Sequence, residues 1–277
     1  MGWLQAIILG ISQGLTEFLP VSSSGHEMVI NHLFGWKDGG AAFSAITQLG
    51  TEAAVLIYFR KDIISITKTW FASLLNKELR RDPLARMGWY VIVGTLPIAV
   101  IGYVFKGFIE TDLRNLWIVA GALVLVGFLI YIVDKYAKHE KAEADLTPSR
   151  ALIFGFAQAL ALIPGVSRSG GTIAAGLAMG FKREVAARYS FLLAIPAVLA
   201  SSLLQIPKLG DAPGPNEVAT NWPATLVATG ISFIVGYVVI TKFMTYIASK
   251  TFTPFVVYRV ALGFVLFGLL AGGQIVA

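Results

Sequence analysis

The sequence predicts an all-α polytopic membrane protein, with six transmembrane helices and two re-entrant helix pairs in an inverted-topology repeat. Three observations lead to this class. Of the 277 residues, 56% are hydrophobic and only 14% are charged, with a mean hydropathy of +0.72, whereas a soluble domain carries about 25% charged residues. Six segments are long and apolar enough to cross a bilayer. Two polar loops of nearly the same sequence also recur 145 residues apart within apolar sequence.

Composition narrows the class further. The chain has no cysteine, which excludes disulfides, thiol nucleophiles and cysteine-based metal sites. The net charge of +6 would suggest nucleic acid as the partner of a soluble protein, but in a membrane protein the bias of Lys and Arg toward the cytoplasm explains it better. Residues 1–19 lack a basic start and a small-residue cleavage site, so we expect retained structure and not a signal peptide. We expect a single integral membrane domain over residues 1–277.

Hydropathy places the spans, and charge orients them. The predicted spans are 43–59, 87–105, 116–133, 189–206, 223–241 and 253–275. An amphipathic segment at 63–75 is expected at the membrane interface. When the loops are assigned to alternate sides, 16 Lys and Arg residues fall on one side and 4 on the other. The positive-inside rule places the first set in the cytoplasm and both termini outside.

Two regions, 3–35 and 151–180, do not fit as simple spans. Each contains two apolar runs, too short to cross alone, around a loop rich in Pro, Gly and Ser. Such re-entrant pairs persist only where the loop is buried in protein or lines a wet cavity. Because three spans separate them, the two pairs have opposite orientations. We therefore expect two inverted repeats, about 1–133 and 151–277, whose loops meet near the midplane.

The first loop carries oxygen ligands and hydroxyls. Gln13 and Glu17 are four residues apart and share a helix face, and both offer hard oxygen ligands for Mg²⁺ or Ca²⁺. Ser22, Ser23 and Ser24 can start the next half-helix, whose free N–H groups point at the loop. A serine with His26 nearby supplies a nucleophile–base pair, although His26 could also cap a helix.

The second loop carries a fixed cation. Proline, glycines and serines surround Arg168 in a pattern that suits a backbone nest for an anion. Arg168 could hold a phosphate bidentately or act only as the salt-bridge partner of Glu17. In the repeat, Arg168 occupies the position equivalent to Ser23. Together the two loops match the needs of phosphoryl transfer, namely cations and N–H donors, a nucleophile and proton management. The predicted phosphate-binding residues are Ser22, Ser24, Ser167, Ser169, Thr172 and Arg259.

Other polar residues in apolar sequence have competing explanations. Gln158 is the repeat partner of Gln13 but has Leu162 where the first repeat has Glu17, so a helix–helix contact is favoured for it. Glu52 faces either the bundle interior or a water path. Arg259 is either a second phosphate contact or a structural pair.

At its paired motifs the chain resembles the undecaprenyl-diphosphatase family, the bacitracin-resistance phosphatases of bacterial membranes. The family pattern E/Q-x-x-x-E appears at Gln13 and Glu17, and the pattern P-x-S-S-S/T-x-H at 20–26. The pattern P-G-x-S-R-S-x-x-T appears at 164–172, and P-F-x-x-Y-R at 254–259. Many members have Glu where this chain has Gln13, which puts metal binding at that position in doubt.

The resemblance implies a plasma-membrane phosphatase that removes the terminal phosphate of undecaprenyl diphosphate, the cell-wall lipid carrier, with help from a divalent cation. Glu17, Ser23, His26 and Arg168 would be catalytic, and Gln13 and Glu17 would hold the metal. The nucleophile stays open between Ser23, His26 and water, and the chain could act as a monomer or a homodimer. A transporter of anionic lipid is the rival interpretation, because carriers also build midplane sites from inverted repeats.

Overall fold

The computed structural model describes residues 1–209, 211–212, 214 and 217–275. This part of the chain folds into twelve α-helices, and six of them are long and apolar enough to cross a membrane. The helices are α1 Trp3–Thr16, α2 Ser23–Leu33, α3 Gly40–Tyr58, α4 Arg60–Leu75, α5 Pro83–Val104, α6 Lys106–Glu110, α7 Leu116–Tyr136, α8 Pro148–Ala159, α9 Arg168–Ala178, α10 Arg183–Gln205, α11 Trp222–Ile247 and α12 Thr253–Ala271. The candidate spans are α3, α5, α7, α10, α11 and α12, which confirms the all-α membrane class.

Several helices extend beyond the predicted apolar spans. Helix α5 begins at Pro83, four residues early, because the Asp82 side chain accepts a hydrogen bond from the Leu84 N–H at 2.8 Å and caps the helix. Helix α10 begins at Arg183, six residues before the predicted span. Hydropathy detects only the apolar length of a helix, and these first turns are polar or basic.

The two short helix pairs, α1–α2 and α8–α9, pack against long spans. Helix α1 lies along α11, and α8 lies along α5. Helix α8 approaches α5 very closely at Gly155, where an added Cβ would lie 2.3 Å from the carbonyl oxygen of Gly94. Helix α3 approaches α11 in the same way at Gly50. Small residues thus let the pairs and spans come together where the loops must be buried.

The loops of the two pairs have the same local geometry. Ser22 and Ser167, which are equivalent in the predicted repeat, both have a positive φ, 74° and 73°. Each side chain caps the following helix by accepting a hydrogen bond, from the Gly25 N–H at 3.2 Å and from the Gly170 N–H at 3.1 Å. Non-glycine residues rarely adopt this φ, so two matched examples mark a shared construction. The opposite orientation of the two pairs in a membrane stays a prediction.

Candidate active site

The buried carboxylate of Glu17, just after α1, joins the two loops. Its Oε1 accepts hydrogen bonds from Arg168 in the second loop and from the Gln48 amide at 2.9 Å. Its Oε2 accepts from the Ser23 hydroxyl at 2.7 Å and from the Gln13 amide at 2.8 Å. The structure therefore brings together four of the predicted site residues, and α3 adds Gln48.

The ion pair with Glu17 occupies only one of the two terminal nitrogens of Arg168. Its Nη2 donates to Glu17, whereas its Nη1 is buried and has no hydrogen-bond partner among the described residues. Leaving a buried donor unpaired costs roughly 1–3 kcal/mol, and more for a charged group. The two interpretations of Arg168 are therefore compatible: one nitrogen pairs with Glu17, and the other is available for an anion.

The expected pairing of Ser23 with His26 does not form. The Ser23 hydroxyl donates to Glu17, while the His26 Nδ1 donates to the Ser22 carbonyl at 2.7 Å. The His26 Nε2 is 2.7 Å from the Tyr258 hydroxyl, which donates to it, and the two rings stack. His26 folds back onto the residue one turn earlier, so both nitrogens are occupied and neither reaches Ser23. Glu17 is thus the base nearest to Ser23.

Most of the other predicted hydroxyls are used within the fold. Ser22 and Ser167 cap helices, as described above. Ser169 donates to the Leu19 carbonyl at 3.1 Å and so ties the second loop to the first. Thr172 is fully buried and bonds to the Arg168 carbonyl at 2.7 Å and to Ser190. The exposed Ser24 lies 3.4 Å from the Ser22 hydroxyl and is the one with room for a ligand.

Arg259 departs most from the expectation of a phosphate contact. Its side chain is 0% exposed, and all three of its guanidinium nitrogens donate to backbone carbonyls of α7 and of both loops. The acceptors are Leu123 at 3.0 Å, Pro20 at 2.8 Å, Ala122 at 3.3 Å, Gly165 at 2.9 Å and Val166 at 3.2 Å. In this arrangement Arg259 is fully buried, bonds through all three guanidinium nitrogens to backbone carbonyls and holds the two loops together.

Three residues near the site, Gln48, Glu52 and Tyr258, have contacts that the sequence does not predict. Gln48 bonds to Glu17, and the only sequence signal was its spacing of four from another polar residue, Glu52, on an apolar helix. Glu52 is 1% exposed, lies close enough to Arg168 and Glu17 to interact electrostatically, and has an unpartnered Oε1 within the described residues. Tyr258 precedes Arg259 in a recognisable motif, but the sequence does not show that it reaches His26.

The predicted metal position at Gln13 and Glu17 fits poorly. Both Glu17 oxygens already accept two donors each, and a cation there would sit beside the Arg168 guanidinium. The described residues contain no group of three or more His, Cys, Asp or Glu able to hold a metal. Oxygen atoms with more room line a small cavity beside Glu17, between α1, α2 and α3. This cavity is lined by Leu9, Ser12, Gln13, Ser23, Glu27, Phe43, Ser44 and Thr47. Its hard oxygen donors suit Mg²⁺ or Ca²⁺ better than Glu17 does.

Comparisons with known proteins identify the family. The family model described as bacitracin resistance protein BacA matches residues 6–265. An undecaprenyl-diphosphatase of Thermobifida fusca is 53% identical over 273 residues, covering 99% of this chain and 92% of the relative. One from Renibacterium salmoninarum is 51% identical over 277 residues, covering 100% and 99%. One from Pseudarthrobacter chlorophenolicus is 50% identical over 278 residues, covering 100% of both chains. The chain therefore belongs to the bacitracin resistance protein BacA family of undecaprenyl-diphosphatases.

Proposed function

We propose that the protein is a membrane phosphatase that hydrolyses undecaprenyl diphosphate to undecaprenyl phosphate and inorganic phosphate. This activity recycles the cell-wall lipid carrier and confers bacitracin resistance. One observation carries the proposal beyond family membership. The Ser23 hydroxyl donates to the buried Glu17 carboxylate, which is paired with an arginine that keeps one buried nitrogen unpartnered. A nucleophile, a base and a free phosphate donor thus meet at one carboxylate.

In the proposed mechanism, the polyprenyl tail stays in lipid and the diphosphate enters between the two loops. The Arg168 Nη1 binds oxygens of the terminal phosphate. The N-terminus of α2, which begins at Ser23, directs first-turn N–H groups at the same charge. Glu17 accepts the Ser23 proton as the Ser23 Oγ forms a bond to the terminal phosphorus and the bond to the bridging oxygen breaks. Undecaprenyl phosphate leaves, and water then releases phosphate from Ser23.

The proposed divalent cation binds in the oxygen-lined cavity and not at Glu17. Gln13 and Ser23 line that cavity, so a cation held there would neutralise charge on the diphosphate. His26 is proposed to act as a positioning residue, since both its nitrogens are bonded. All the side chains of the site come from one chain, so catalysis in this proposal needs no second copy, whether or not a homodimer forms.

The test is phosphate release from undecaprenyl diphosphate by the purified protein in detergent. Glu17→Gln, Arg168→Ala and Ser23→Ala should each lose at least about 99% of the activity, since general acid–base groups contribute roughly 10²–10⁴-fold. Ser201→Ala is the matched control, because that hydroxyl bonds only to a carbonyl of its own helix, at 3.0 Å. Full activity in the Glu17→Gln, Arg168→Ala or Ser23→Ala variant would refute the proposed catalytic roles.

The same assay separates the phosphatase from an anionic-lipid transporter. Detergent micelles hold no gradient, so a pure carrier would release no phosphate there. The observation against a pure carrier is the hydrogen bond from Ser23 to Glu17, which activates a hydroxyl in a way that binding alone does not require.

We also propose that the protein lies in the bacterial plasma membrane with both termini outside. The cysteine-free sequence makes this directly testable. A cysteine placed at Asp112 should react with a membrane-impermeant maleimide in intact cells. A cysteine placed at Glu140 should react only after the cells are broken. The opposite labelling pattern would invert the topology.

A further inference from the structure

The oxygen-lined cavity beside Ser23 has features that the phosphatase mechanism leaves unexplained. It is a narrow cavity of about 10 Å³ between α1, α2 and α3. Gln13 and Ser23, on its inner side, are the two residues that it shares with the Glu17 cluster. The Gln13 Nε2 donates to Glu17 at 2.8 Å, so the amide oxygen is the atom of Gln13 that can serve a cation.

A second, independent observation comes from Thr47 on α3. Thr47 lines the cavity and is only 2% exposed. Its Oγ1 nevertheless has no hydrogen-bond partner within the part of the chain that the structure describes. A buried hydroxyl in an apolar helix usually bonds to a carbonyl one turn earlier, as Ser44 does nearby. The orphaned oxygen of Thr47 points to a ligand that is not part of the protein chain.

Glu27 supplies the negative charge of the cavity. Its carboxylate accepts one hydrogen bond, from Ser44 at 2.7 Å, and forms no ion pair with any described residue. Its charged neighbours, Asp38 and Arg114, are paired with each other and so give little net compensation. A carboxylate at a partly buried site is costly without a counter-charge. Glu17, by contrast, has Arg168 as its counter-charge.

We propose that this cavity is a divalent-cation site in which Glu27 is the charged ligand, with oxygens of Gln13, Ser23 and Thr47 beside it. Mg²⁺ is commonly bound by one or two carboxylates and completes its coordination with water and substrate phosphate, which fits a single Glu27 next to the reaction centre. The proposal deepens the proposed phosphatase function, since the cation lies against the nucleophile. The proposed carboxylate ligand is therefore Glu27 and not Glu17, and position 13 of this chain offers a neutral Gln.

The test measures cation binding directly. Mn²⁺ serves as the probe and is titrated into the full-length protein in detergent, without lipid substrate, with free Mn²⁺ followed by electron paramagnetic resonance. The wild-type protein should bind one Mn²⁺. Glu27→Gln should weaken binding by about tenfold or more, because it removes the only charged ligand. Glu17→Gln should bind Mn²⁺ within about threefold of wild type. The matched control is Glu184→Gln, at an exposed residue in the first turn of α10.

Thr47→Val keeps the shape of the side chain and removes only the orphaned oxygen. It should also weaken Mn²⁺ binding, by a few-fold. A Glu27→Gln variant that is folded by size exclusion and binds Mn²⁺ like wild type would overturn the proposal. So would a Glu17→Gln variant that loses the bound ion.

The outcomes for cation site and phosphatase are separable. A wild-type protein that releases phosphate but binds no Mn²⁺ before substrate is added would overturn the cation site and leave the proposed function standing. A protein that binds Mn²⁺ through Glu27 but releases no phosphate would do the reverse. In the phosphatase assay, Glu27→Gln should raise the Mg²⁺ concentration for half-maximal activity by about tenfold or more, with kcat approaching wild type at saturating Mg²⁺.

Discussion

Replacing Arg259 by methionine tests whether this residue holds the loops or binds phosphate. The Arg259→Met variant keeps much of the side-chain volume but removes every donor. The acceptors on α7 are helix carbonyls and can keep bonds within their own helix. Three loop carbonyls lose their charged donor, and those of Pro20 and Gly165, at 2.8 and 2.9 Å from the guanidinium, make shorter contacts than Val166 at 3.2 Å.

The expected magnitude is set by the two shortest of these contacts, those to the Pro20 and Gly165 carbonyls. Each buried, unpaired carbonyl costs about 1–3 kcal/mol, which gives about 2–6 kcal/mol for the pair. Methionine also relieves the cost of burying a guanidinium, so we expect the lower part of that range, about 2–4 kcal/mol. For a chain of this size each kcal/mol lowers Tm by about 2–4 °C, so the fall in Tm should be about 4–16 °C.

The assay is thermal unfolding of the purified, substrate-free protein in detergent, alongside phosphate release. Arg259→Lys should also be destabilised, since one ammonium cannot reach carbonyls of both loops. Arg81→Met, at an exposed residue, is the matched control and should keep the wild-type Tm. If Arg259→Met and Arg259→Lys keep the wild-type Tm and only raise KM, then Arg259 contacts phosphate and the structural interpretation fails.

Three further predictions follow from single contacts. Ser23→Ala should lower kcat by about 10³-fold, whereas His26→Gln should lower kcat by only about tenfold, because His26 positions the loop and does not reach Ser23. Equal losses of phosphate release in the two variants would restore His26 as a candidate nucleophile. Tyr258→Phe removes one hydrogen bond to His26, worth about 0.5–1.5 kcal/mol, and should cost kcat about 2- to 13-fold; unchanged kcat would argue against a positioning role. Gly50→Ala places a Cβ 2.1 Å from atoms of α11, whereas Gly230→Ala meets nothing within 4 Å. In thermal unfolding, Gly50→Ala should lose about 1–3 kcal/mol of stability and Gly230→Ala less than about 0.5 kcal/mol. Equal stabilities of the two variants would contradict the close α3–α11 contact.

The fold class could be predicted because hydropathy reports directly on what a membrane requires. All six predicted spans coincide with long apolar helices. What hydropathy could not predict is where those helices end. Helix α10 starts at Arg183 because a helix continues through polar residues as long as its backbone is satisfied, and the side chain of Arg183 pairs with Asp134 of α7. That contact joins residues 49 positions apart and leaves no periodic trace in the sequence.

The residues that form the site could be predicted from the sequence, but their hydrogen-bond partners could not. The motifs identified Glu17, Ser23 and Arg168, which do meet. They could not show that Arg259 bonds to five backbone carbonyls, because backbone acceptors have no residue-type signature. The partner of His26 lies 232 residues away, and the spacing within the first loop favoured the nearer serine instead.

The repeat explains why one carboxylate serves both loops. Ser22 and Ser167 are equivalent and keep the same cap and the same positive φ, so each loop delivers the next side chain to the same place relative to its helix. The next residues, Ser23 and Arg168, both reach Glu17, one at Oε2 and the other at Oε1. The residue equivalent to Glu17 in the second loop is Leu162.

A second carboxylate at Leu162 would compete for the same partners and add a buried negative charge without its own cation. The duplicated backbone therefore builds two facing helix starts, and the chemistry depends on the positions where the copies differ. One copy places a hydroxyl at the shared carboxylate and the other places a cation there. An Arg168→Ser change, which makes the two loops alike at this position, should keep both caps and the fold but lose phosphate release. If that variant stayed active, the difference between the copies would not be what makes the site catalytic.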